Sequence, residues 1–325
     1  MLHALVSAVL TLAASLAPAS APAPAPAPPS NHVLAISIDG LNVDAIRNLG
    51  RSGAPALHRM LRQGAGTLNA RTEYELSNTL PNHTSMVTGR RITAAEGGHG
   101  VTWNDDRPGT TVQAAAGHAV ASVFSAVHRA GGDTALYAMK SKFSLLQRSW
   151  PRAVHTYVKT DAARLVSLAT ADLRDGPATF TFVHLALPDS AGHEHGGMSE
   201  EYLDAVGEAD GLLATLLDAV ADQRVTVVLT ADHGFAPGKT SHSDQTAAAN
   251  YTIPFLVWGD GVARRADLYA LNRGYRDPGT GRPAYARKRQ PIRNGDVANL
   301  AAGLLDLKPV RGSGIGKAPP LVVAR

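Results

Sequence analysis

From Asn31 onward, short apolar runs alternate with segments whose apolar positions recur at helical spacing. "HVLAISI" (32–38) has the length and β-branched content of a buried strand. "TALYAMK" (134–140), "ATFTFVHLAL" (178–187), "VTVVLTA" (225–231) and "IPFLVWG" (253–259) read the same way. Helices are predicted between them. They are "VDAIRNLG" with Gly50 as its stop, "APALHRMLRQG" with Pro55 near its start, "HAVASVFSAVHRAG", "EEYLDAVGEADGLLATLLDAV" and "NGDVANLAAGLLDL". Residues 264–293 are polar, basic and rich in Gly and Pro, and read as a loop-rich excursion. Strands alternating with helices imply an α/β fold, with a sheet covered on both faces.

The N-terminus breaks this pattern. Residues 4–17 form an apolar run too short for a comfortable membrane span, followed by small residues at Ala19 and Ala21. We expect a signal peptide over 1–21 and export from the cytoplasm. A Pro/Ala-rich linker follows at 22–30, extended because proline removes backbone donors. One catalytic domain is expected over 31–325, with no second spanning segment. The chain has no cysteine, which excludes disulfides, thiolate metal sites and cysteine nucleophiles. Its net charge of +4 reflects basic residues clustered late in the chain. No aromatic interleaving accompanies them, so they read as a solvated face rather than a nucleic-acid groove.

Seven residues carry metal-site chemistry at predicted strand ends or tight loops: Asp39, Thr79, Asp189, His193, Asp232, His233 and His242. Asp39, Asp189 and Asp232 each follow an apolar run. In parallel α/β sheets such positions converge on a cleft at the carboxyl edge. Asp189 and His193 lie four apart, which on a helical turn puts both on one face. Gly234 permits the bend that lets adjacent Asp232 and His233 both turn inward. Three carboxylates, three imidazoles and a hydroxyl make a ligand set for two zinc-like ions. Each piece alone has a plainer reading: Asp39–Gly40 a turn, Thr79 a helix cap, His242 a solvated loop residue. Their company favours the metal reading. Thr79 is the candidate nucleophile, since metal coordination makes a hydroxyl competent at neutral pH. Asn104 offers an amide donor for a phosphoryl oxygen, or is a turn residue.

The stretches "SIDGL", "TLPNHTSMVTG", "HGVTWN", "PDSAGHEHG" and "TADHGF" resemble the alkaline phosphatase superfamily. Within it they are similar to the type I phosphodiesterase / nucleotide pyrophosphatase branch. The resemblance implies a three-layer sandwich around a mostly parallel sheet, and two Zn2+ ions, with other divalent metals able to substitute. It would place Asp189, His193 and His242 on one ion, and Asp39, Asp232, His233 and Thr79 on the other. Asn104 falls at the branch's phosphate-binding asparagine. The implied reaction passes through a covalent phosphothreonine that water then hydrolyses.

Two features depart from that branch. Only eight residues separate His233 from His242, where many nucleotide pyrophosphatases carry a longer insertion, so a more open cleft is expected. Lys140 and Lys142 are similar in place to a lysine pair in phosphonoacetate hydrolases. They either grip a phosphate or carboxylate or, the preferred reading, mark a solvated strand end. The expected substrate is a small phosphoester or pyrophosphate. The alternatives are a phosphonate or phosphomonoester hydrolase that uses the lysines, and a non-catalytic basic binding protein. The missing cysteine speaks against a sulfatase.

Overall fold

The computed structural model describes residues 31–324. The expected signal peptide and linker lie outside the described residues. Eight strands form one sheet: β1 (His32–Ile38), β2 (Ala65–Arg71), β3 (Thr134–Ala138), β4 (Thr156–Lys159), β5 (Phe180–Leu185), β6 (Val225–Thr230), β7 (Thr252–Gly259) and β8 (Ala266–Asp267). Their order is β4-β3-β5-β1-β6-β7-β2-β8. Within this sheet β7 alone runs against the other strands. The near-continuous apolar runs of β5, β1 and β6 follow from this position, because a central parallel strand is covered on both faces.

The helices are α1 (Val43–Gly53), α2 (Pro55–Gln63), α3 (Thr79–Thr88), α4 (Val112–Ala116), α5 (Val123–Arg129), α6 (Ser144–Ser149), α7 (Ala162–Asp175), α8 (Leu187–His195), α9 (Glu200–Ala219), α10 (Ala248–Tyr251), α11 (Leu268–Leu271) and α12 (Asp296–Leu304). One layer packs α1, α2, α7 and α9 together; the other groups α3, α5 and α12. This is the α/β three-layer sandwich expected of an alkaline-phosphatase-like chain.

Several local expectations shift. Gly50 does not end α1; it takes φ +58° as a kink and the helix resumes to Gly53. The helix anticipated from residue 118 starts at Val123, because Ser122 and Ser125 cap its first turn reciprocally. β2 ("AGTLNAR") lacks β-branched content beyond Thr67 and earns its place by pairing with β7. The 264–293 excursion is mostly turns, as expected, but holds β8 and α11.

The turn after β1 brings two loops into contact. Gly40 has φ +72°, and a Cβ there would sit 2.9 Å from the Asp189 backbone, so only glycine lets the segments close. Tyr202 of α9 locks the turn: its hydroxyl donates to the Gly40 carbonyl and accepts from the Asn42 amide at 2.9 Å. Tyr202→Phe leaves a buried carbonyl and amide unpaired. We expect a loss of about 1–3 kcal/mol in chemical denaturation, whereas unchanged stability would show the turn does not depend on this hydroxyl.

Candidate active site

The sheet's carboxyl edge delivers the acids. Asp39 directly follows β1, and its amide donates to Leu185 at the end of β5. Asp189 sits in the first turn of α8, directly after Pro188, and its own amide donates to the Asp39 carbonyl. Asp232 and His233 lie just past β6, and Gly234 allows the bend. A Cβ on Gly234 would sit 2.1 Å from the Ala249 carbonyl oxygen. All three aspartates are buried.

The three imidazoles are held in one tautomer. Nδ1 of His193 donates to the Thr240 carbonyl at 2.8 Å, Nδ1 of His233 to Gly234 at 2.9 Å, and Nδ1 of His242 to Ser77 at 2.9 Å. Each therefore presents a bare Nε2 lone pair, the arrangement that orients metal-ligating histidines. Those lone pairs face carboxylate oxygens. His193 and His242 Nε2 each lie 3.4 Å from Asp189 Oδ1. His233 Nε2 lies 3.3 Å from Asp39 Oδ1, 3.3 Å from Asp232 Oδ2 and 3.7 Å from Asp189 Oδ1. Burial, with His233 alongside, pushes the His242 pKa down to about 2, and burial lowers that of His233 as well. Both stay neutral acceptors at physiological pH.

Each carboxylate is half satisfied. Asp232 Oδ1 accepts from the Gly40 amide at 3.2 Å. Asp39 Oδ2 accepts from His184 Nε2 at 3.0 Å and from Lys140 Nζ at 2.6 Å, and Asp189 Oδ2 accepts from the same Nζ at 2.5 Å. The remaining atoms, Asp39 Oδ1, Asp189 Oδ1, Asp232 Oδ2 and His233 Nε2, are buried without a hydrogen-bond partner. Acceptors that face acceptors in a dry cleft repel one another unless a cation or a shared proton lies between them. Two groups have ligand atoms within 4.8 Å of one another: Asp189 with His193 and His242, and Asp39 with Asp189 and His233. The residues present fit divalent cations. Burial pushes the Asp39 carboxyl up, but Lys140 and His184 outweigh it and hold the group well below its usual range. Burial, with Asp39 and Asp189 nearby, raises Asp232.

Thr79 is buried at the first position of α3, and all ten residues of that helix are buried. Its approach loop is clamped on both sides. Asn82 accepts from the Glu73 amide at 2.9 Å and donates to the carbonyls of Leu76 and Asn78. Ser77 Oγ donates to the His242 carbonyl at 2.9 Å, tying the threonine loop to the histidine loop. Asn104 Oδ1 accepts from the Leu80 amide at 2.9 Å, which leaves its Nδ2 as a donor beside the start of α3.

Lys140 is not a solvated strand end: it bridges Asp39 and Asp189. Lys142 is half-buried, and burial and the neighbouring Lys140 lower its pKa. Sequence reasoning gave no role to His184 and missed His83 and Asn294. His184 Nδ1 accepts from the Met139 amide, so its Nε2–H points at Asp39. His83 Nδ1 donates to the Thr79 carbonyl and Nε2 accepts from Ser37 Oγ, both at 2.8 Å. Asn294 donates to Asn82 and to the Asp232 carbonyl. "PNHTS" inside a fully buried helix was the available signal, since polar residues there must have partners.

A mostly parallel sheet carries an aspartate–histidine cluster able to hold divalent cations at its carboxyl edge, beside a hydroxyl that opens a buried helix. The type I phosphodiesterase / nucleotide pyrophosphatase family matches residues 33–277, and the chain belongs to that family, in the alkaline phosphatase superfamily. It is a family of phosphoester-handling enzymes. GPI ethanolamine phosphate transferase 1 of Saccharomyces cerevisiae is 30% identical over 149 residues, 42% of this chain and 15% of that protein. The 2,3-bisphosphoglycerate-independent phosphoglycerate mutase of Staphylococcus aureus is 29% identical over 96 residues, 29% of this chain and 19% of the mutase. In both cases the match spans less than a fifth of the relative's length. Murine ectonucleotide pyrophosphatase / phosphodiesterase 5, in an inactive form in complex with AMP, superposes with TM-score 0.62 at 14% identity. That match covers 86% of this chain and 96% of that one. The human protein gives 0.61. At these identities the likeness is one of fold. No helix among the described residues is long and apolar enough to cross a membrane.

His99 braces the segment that carries Asn104. Its Nδ1 accepts from the Val101 amide at 3.1 Å and its Nε2 meets Ser85 Oγ of α3 at 3.0 Å. Burial lowers its pKa to about 3. Between pH ~6.5 and 3 the unfolded chain therefore takes up a proton that the folded chain refuses, and stability falls as pH falls. His99 contributes a slope of about 1.4 kcal/mol per pH unit in that window. Urea unfolding at pH 7 and pH 5 should show a shallower acid loss in His99→Gln than in the wild type; equal losses would mean His99 is protonated in the fold.

Proposed function

We propose that the chain is an exported two-metal phosphohydrolase, with zinc the expected ion, that cleaves phosphodiesters or pyrophosphates through Thr79. The observation that carries this is the set of buried, partnerless acceptor atoms beside the helix that Thr79 opens. Export is supported by the apolar run at 4–17. Asp189, His193 and His242 would hold one ion, and Asp39, Asp232 and His233 the other, with Thr79 turned towards the second. Asp189 faces both groups, so its Oδ1 is the common element. Bound there, the ions supply Lewis acidity: they lower the pKa of the threonine hydroxyl and screen phosphoryl charge.

The chain's own residues do the rest. His83 fixes the first turn of α3 from below, so the Thr79 hydroxyl is presented at the helix N-terminus, where backbone dipoles favour an anion. Asn104, anchored on the Leu80 amide, offers Nδ2–H to a non-bridging phosphoryl oxygen. Thr79 Oγ1 forms the new P–O bond as the bond to the leaving alcohol or phosphate breaks in line. Water then releases the phosphoryl group and restores the hydroxyl.

The position of Lys140 favours a second reading. A lysine held between two carboxylates of the cluster, with Lys142 close behind, puts positive charge where the extra negative charge of a phosphomonoester or phosphonate would lie. A p-nitrophenyl nucleotide diester and p-nitrophenyl phosphate, turned over by the metal-loaded enzyme, separate the two. The diesterase reading expects diester preference, and a loss of roughly ten-thousand-fold or more in Thr79→Ala. Near wild-type turnover in that variant would remove Thr79 as nucleophile. Lys142→Ala should leave diester turnover unchanged. Monoester preference that collapses in Lys142→Ala would establish the second reading instead.

A further inference from the structure

A cavity of about 450 Å³ opens at the other end of α3, between the 264–293 excursion and the loop at 312–319. That size suits a small organic ligand. None of the aspartate–histidine cluster lines it. Its Arg90 side lies past the far end of α3, whose ten residues at 1.5 Å rise span about 15 Å. Its wall carries four cations, Arg90, Arg91, Lys288 and Arg293, against two carboxylates, Glu96 and Asp296.

The cations are unequally partnered. Arg91 pairs with Glu75 and Glu96. Arg293 is 1% exposed; its terminal nitrogens donate to the carbonyls of Thr72 and Pro283 and to Gln290, while its Nε has no acceptor. Arg90 is 8% exposed and donates to the Gly97 carbonyl at 2.9 Å. It meets His118 Nε2 at 3.5 Å, and its Nε also has no acceptor. Burial alone bears on its ionisation, without a carboxylate to offset it. Arg293 already has the buried carboxylates Glu73 and Asp296 beside it; Arg90 has none, and a buried guanidinium with a free Nε–H on a cavity is costly to keep unless an anion answers it. The planar Arg90 guanidinium matches phosphate oxygens, and Lys288 stands exposed at the rim. Tyr275 and Ile315 give the cavity an apolar side for the body of a ligand.

We propose that this cavity is a second ligand site, separate from the active site, for a small phosphate-bearing anion, with Arg90 on the phosphate and Lys288 at the entrance. Free phosphate and an organic phosphomonoester share this chemistry.

Titration calorimetry of inorganic phosphate into the metal-loaded full chain tests it. The expected result is two classes of site. Arg90→Gln and Lys288→Ala should each weaken one class about tenfold, leaving the other class and phosphate-free turnover unchanged. Lys288 is exposed, so its variant decides the matter if Arg90→Gln does not fold. Phosphate binding in which no class weakens in Lys288→Ala overturns the proposal; a single class that does weaken assigns binding to this cavity and denies it to the active site. Repeating the titration with glycerol 3-phosphate identifies the source: tighter binding to the affected class assigns it to an organic phosphomonoester, and equal or weaker binding assigns it to phosphate itself.

Discussion

Three aspartates and three histidines are packed so that bare acceptor atoms confront one another at 3.3–3.7 Å in a largely buried cleft. Water is excluded from most of them, and the nearest donors are already spent on the outer carboxylate oxygens. Lone pairs pressed together in a medium of low polarity are costly, and breaking a buried charge arrangement costs several kcal/mol. Such a cluster persists if the scaffold holds it rigidly and positive charge relieves the repulsion, whether a divalent cation or, at Asp232, a retained proton. Lys140 resolves part of it, from one side, by reaching Asp39 and Asp189. Among the described residues its hydrogen bonds go to those two carboxylates and not to Asp232 or the imidazoles.

The surroundings follow from that constraint. The carboxyl edges of β1 and β6, and the helix after β5, bring the acids to one place, as parallel strands do. Gly40 and Gly234 are glycines because the loops that carry the ligands touch other backbone. Backbone carbonyls take the Nδ1 proton of each histidine in the cluster, which turns Nε2 inward without adding charge. The threonine loop is then bolted to this assembly through Ser77, Asn82 and Asn294, so the candidate nucleophile and the acceptor cluster move as one body. Preorganisation of this kind removes the reorganisation cost at the moment of reaction.

Much of this was legible in the sequence because its signals were local. The five apolar runs became β1, β3, β5, β6 and β7 because length and β-branching suffice for buried central strands. The acids could be placed because each follows such a run. β2 was not legible: "AGTLNAR" has little strand propensity, and its pairing with β7 is a tertiary fact. α3 was legible only at its start, in the reading of Thr79 as a helix cap; Asn78 takes the cap position and Thr79 opens the helix, whose polar residues hide its burial on all sides. Lys140 was misjudged as solvated because its partners lie 101 and 49 residues away in the chain. His184 sits within a strand run and looks like any core histidine until its contact with Asp39 is seen.

The most direct test of the central claim is a count of divalent cations per chain, by elemental analysis of zinc-equilibrated and desalted protein, with Asp189→Asn beside the wild type. This account predicts two zinc equivalents in the wild type. It predicts loss of both in the variant, because Asp189 Oδ1 faces all three imidazoles of the cluster. A folded wild-type chain that retains no metal would contradict it, since the facing acceptors would then be stable without a cation between them.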